Sequence, residues 1–72
     1  MMTNEFFNCL IQKLVGNAED SVKAYQKNRS EFDDGRVLGY YEVLDTIKNR
    51  LIVEEYDLHS CGLDINLEKR IL

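Results

Sequence analysis

Seventy-two residues with thirteen acidic and nine basic side chains, a net charge of −4, allow one small domain whose field repels nucleic-acid phosphates at long range. A hydrophobic fraction of 44% and a charged fraction of 31% supply enough apolar material to exclude general disorder. No apolar run approaches the roughly 18 residues that a membrane span needs, and the absence of proline permits long uninterrupted helices.

The opening stretch MMTNEFFNCL has neither a basic segment nor a small-residue cleavage site. It does not read as a signal peptide, and the expected location is the cytoplasm. Cys9 and Cys61, the two cysteines, are expected as free thiols in that compartment. Thr3 or Asn4 can cap a first helix, and Glu5 suits the positive end of its dipole. Phe7, Ile11, Leu14, Ala18, Val22 and Tyr25 then recur at spacings of three and four, with Leu10 and Val15 widening the same face. The apolar phase is unchanged across Gly16 and Asn17, which predicts one helix from about Asn4 to Asn28. Lys23, Lys27 and Arg29 place positive charge at its carboxyl end.

Ser30-Glu31-Phe32-Asp33 is a loose capping box opening a second helix. The tight connection makes that helix the antiparallel neighbour of the first. The acidic run Glu31, Asp33 and Asp34 lacks the spacing of an EF-hand loop, so calcium binding is not expected. The stretch GRVLGYYEVLDTIKNRLIV organises the chain, because Val37, Tyr40, Leu44, Ile47 and Leu51 form one apolar seam. Gly35 and Gly39 lie off that seam and suggest a second, close neighbour for the helix. The helix is expected to end near Tyr56, or to run on to about Ser60. Gly62 reads as a left-handed carboxyl cap with Leu63 as its apolar contact. Asn66 can cap a last short helix, LEKRIL, although an extended arm crossing a partner is the alternative.

Catalytic motifs are missing. One histidine and two distant cysteines cannot furnish four zinc ligands, and His59 and Cys61 point apart on a helix. Glu42 and Asp45 share a helix face, as surface carboxylates routinely do. No cofactor, no metal and no enzymatic activity are expected. The residues that could form a binding site are Arg36, Tyr40, Tyr41 and Lys48. Arginine forks onto phosphates and tyrosine stacks on planar ligands, so around a symmetric oligomer they could line a pocket for a small anionic ligand such as a nucleotide. The plainer reading makes Tyr40 a core residue and pairs Arg36 with Asp33 or Glu42.

In size, acidity and its GRVLGYYEVLDTIKNRL helix, the chain resembles short helical accessory proteins encoded by bacterial phages and mobile elements. The resemblance implies a protein that acts by binding, often to inhibit a host system, and it transfers no site residues. Capture of a host protein would use Phe6, Tyr56 or the acidic Glu54-Glu55 turn. The expectation is thus an all-α hairpin with a short C-terminal helix or arm, assembled as a homo-oligomer. A dimer is the first form expected, since pairing two hairpins would turn Phe7, Ile11, Leu14, Leu44, Ile47 and Leu51 inward.

Overall fold

The computed structural model describes residues 4–72, and among these the elements are all helices: α1 (Asn4–Asn28), α2 (Glu31–Val53), α3 (Leu58–Cys61) and α4 (Leu67–Ile71). The alternative cap Thr3 lies outside the described residues. Helix α1 runs unbroken through Gly16. Ile11 and Ala18 are buried on its inner face, and Phe7, Leu14, Val22 and Tyr25 pack partly buried beside them. Buried Ser21 satisfies its hydroxyl within the helix by donating to the Ala18 carbonyl at 2.6 Å. Leu10 departs from the expected face and is 43% exposed. It stands about 100° around the helix from Ile11, beyond the stripe that α2 covers.

Two residues turn the chain. Arg29 adopts a left-handed φ of 51°, donates its N–H to the Tyr25 carbonyl at 2.7 Å and lays its guanidinium over the Tyr25 ring at 5.5 Å. Ser30 then caps α2: its Oγ accepts from the Asp33 N–H at 3.1 Å and donates to Asp33 Oδ2 at 2.9 Å. With so short a link, α2 packs back along α1 as the second limb of a hairpin. Leu44 is fully enclosed on the predicted seam, Val37 and Leu51 are buried, and Tyr40 and Ile47 are half-buried at its edge.

Helix α2 stops at Val53, short of both Tyr56 and Ser60. Glu55 takes a left-handed φ of 58°, the Tyr56 N–H reaches back to the Leu51 carbonyl at 2.9 Å, and the Glu55 N–H reaches the Ile52 carbonyl at 3.1 Å. That pair of bonds is a Schellman motif with glutamate at the position glycine usually holds. It swings Tyr56 inward, where the ring meets Phe7 edge-on at 5.7 Å and the hydroxyl donates to Asn8 Oδ1 at 2.9 Å. The motif also yields a clean expectation. Because a Cβ is disfavoured in left-handed backbone, Glu55→Gly should raise stability by about 1 kcal/mol in urea titration. A loss of stability would mean that the glutamate side chain compensates for its backbone.

The C-terminal segment is two short helices rather than a crossing arm. Asp57 caps α3 by accepting from the His59 N–H at 3.1 Å. Gly62 ends it at φ 81°, with the Leu63 N–H donating to the Leu58 carbonyl at 3.0 Å. Asn66 caps α4 through the Lys69 N–H at 3.2 Å. Cys61, Leu63, Leu67 and Ile71 are all buried, and both short helices pack against both limbs of their own hairpin. Both cysteines are free thiols, Cys9 exposed and Cys61 buried. Among the described residues, no atom beyond the helix's own backbone comes within 4 Å of a Cβ built on Gly35 or Gly39. The described part of the chain therefore does not supply the close neighbour that this strip suggested.

Candidate functional site

Neighbouring positions on a helix point about 100° apart, and this separates the four candidate residues into two pairs. Arg36 and Tyr40 lie on one flank of α2. Arg36 faces Asp33 at 3.6 Å and stands 5.9 Å over the Phe32 ring, while half-buried Tyr40 packs against the core. Tyr41 and Lys48 lie on the opposite flank, under the C-terminal segment, where Lys48 Nζ donates to the Ile65 carbonyl oxygen. In a single chain the four therefore do not converge on one ligand.

The flank that holds Tyr41 and Lys48 does form a cleft of about 410 Å³, which Asp45, Asn49, Asp64, Asn66 and Glu68 also line. Its charge is three carboxylates against one ammonium, the wrong balance for an anion. Burial raises the Tyr41 phenol above its ordinary 10.0, and Asp45 and Glu68 push it in the same direction. Beside the cleft, His59 Nδ1 and Asp64 Oδ2 are 2.7 Å apart across the Gly62 turn. The hydrogen bond with Asp64 raises the His59 pKa above 6.5, and the same bond lowers that of Asp64 below 3.8. Both groups are exposed, so the pair tightens the turn at the surface. A second cavity of about 360 Å³ lies between Tyr25, Arg29, Asp34, Val37 and the chain's last residues, Ile71 and Leu72.

Exposed apolar side chains also stand toward the open end of the hairpin, which the Tyr56 contacts with Phe7 and Asn8 define. Phe6 near the start of α1 is 59% exposed, and at the end of α2 Ile52 is 53% and Val53 69% exposed, with exposed Glu54 and Glu55 following directly. Arg50 bridges to Glu54 at 2.6 Å. Of the features expected to capture a partner, Tyr56 is thus turned inward, whereas Phe6 and the acidic turn are exposed. Ile52 and Val53 carry no role in the sequence pattern, because the apolar seam ends at Leu51. Three consecutive apolar residues, Leu51 to Val53, span about 200° of a helix, more than one core stripe covers, and that was the available signal. No protein-family model, curated protein or solved structure matches this chain.

Proposed function

We propose that this chain is a non-enzymatic interaction protein that binds and inhibits a host protein, in the manner its resemblance to phage and mobile-element accessory proteins implies. The observation that carries the reading is the end of α2, where Ile52 and Val53 expose half or more of their surface directly before exposed Glu54 and Glu55. Large apolar side chains that exclude water at the centre of a contact supply most of its binding energy, and charged groups at the rim set orientation and approach. The complementary partner surface is an apolar patch edged by lysine or arginine. Ile52 and Val53 are already held in a helix, so the backbone that presents them loses little conformational entropy on binding.

The test is stoichiometry and surface dependence. Tagged chain recovered from producing cells should carry one host protein in fixed molar ratio. Val53→Asp combined with Glu55→Lys should release that protein while helical circular dichroism stays unchanged. A partner retained by the doubly substituted chain would exclude this surface. Turnover of many target molecules by one chain would exclude the binding reading altogether. The alternative, sequestration of a small anionic ligand through Arg36, Tyr40, Tyr41 and Lys48 in an oligomer, predicts instead a rise in melting temperature with one member of a nucleotide panel.

A further inference from the structure

The C-terminal segment covers one side of the hairpin only. Apart from Phe7, which meets Tyr56 on the inner face, its contacts on α1 fall at Asn8, through Tyr56, at Gln12, beside Gly62, and at Glu19, through Arg70 at 3.2 Å. On α2 they fall at Lys48, through Ile65, and at Tyr41, through Glu68. At 100° per residue these positions share one flank of each helix. The opposite flank presents Leu10 and Leu14 from α1 with Tyr40, Val43 and Ile47 from α2. Leu10 is 43% and Val43 49% exposed, and the other three are half-buried. We propose that this open flank is the surface on which a second copy of the chain docks, flank to flank about a two-fold axis, closing a four-helix bundle.

Area supports this occupant. The chain exposes 5288 Å², whereas a monomer of 8.4 kDa ordinarily exposes about 4,600 Å². The excess, roughly 700 Å², is close to the roughly 800 Å² that each partner contributes to a standard interface. The outline of 38 × 20 × 17 Å is elongated, as a long hairpin with one side left open would be.

Charge supports it too. Two chains of net charge −4 repel unless they meet on a charge-poor surface. Between Leu10, Leu14 and Asn17 on one helix and Tyr40, Val43 and Ile47 on the other, the open flank carries no carboxylate. The charges at its edge, Arg36 and Arg50, are matched by Asp33 and by Glu54, the residue that follows α2. A two-fold arrangement makes the patch its own complement, with the same residues supplied from both sides. The proposal concerns the middle of the hairpin and is independent of partner capture at its end.

Sedimentation equilibrium of the full chain over a dilution series is the test. The wild type should sediment at twice 8.4 kDa and dissociate on dilution. Val43→Glu and Leu10→Glu should each weaken self-association about a hundredfold, because each buries a charge without a partner. Leu38→Glu, at a 49% exposed position off the flank, should leave the dimer intact. A readout independent of substitution is NMR of the wild type, in which dilution should move the Leu10, Leu14, Val43 and Ile47 methyls and the Tyr40 ring. A monomer at all concentrations, a larger ring, or a dimer that survives both flank charges and shifts other residues would overturn the proposal.

Discussion

Leu44→Asp should abolish the cooperative thermal transition. Leu44 is fully enclosed at the middle of α2, and Ser21 is the one polar residue buried among the described residues. A carboxylate introduced there would have no cation to meet. Removing the leucine side chain alone costs ~2–5 kcal/mol. The uncompensated charge, or the proton needed to neutralise it, adds several more. A chain of 72 residues has only roughly 4–11 kcal/mol of net stability to lose. Circular dichroism should therefore show a gradual, non-sigmoidal melt. A sigmoidal transition within a few degrees of the wild type would mean that the seam is not the core.

Leu63→Ala should cost ~2–5 kcal/mol, read as a drop in the urea midpoint and about 10 °C or more in melting temperature. Leu63 is fully enclosed, and with Cys61, Leu67 and Ile71 it belongs to the four buried apolar residues that the C-terminal segment contributes. Nothing local explains so large an effect, since the residue follows a four-residue helix. It arises because Leu63 belongs to the same buried core cluster as Ile11, Leu44 and Leu51 of the hairpin. A change below about 1 kcal/mol would mean that the segment detaches in solution, as the crossing-arm alternative requires.

The parts of the fold legible in the sequence are those with a local cause. A constant apolar phase carried α1 through Gly16 to Asn28, and side-chain caps at Ser30 and Asn66 and the left-handed Gly62 marked their own boundaries. What escaped depends on tertiary contacts. Glu55 gives no residue-level sign of left-handed backbone, and only the docking of Tyr56 on Phe7 and Asn8 explains why α2 ends at Val53. Leu10 satisfies the helical period yet lies outside the stripe, because the width of that stripe is set by how far α2 reaches. The separation of Arg36 and Tyr40 from Tyr41 and Lys48 was legible, given that Tyr40 and Tyr41 are neighbours on one helix. The cleft around Lys48 was not, because Asp64, Ile65 and Glu68 meet it only once α3 and α4 have folded back.

The two-residue link at Arg29 and Ser30 also sets an order of events in time. Closing so short a loop costs little chain entropy, and contacts between the limbs can then zip outward from it. Docking of Leu63, Leu67 and Ile71 bridges limbs that must already be aligned, which places it late on the folding route. Substitutions in the C-terminal segment should accordingly leave the refolding limb of a chevron plot nearly unmoved and speed unfolding. The persistence of the native state, as distinct from how fast it is reached, then resides in its last few residues.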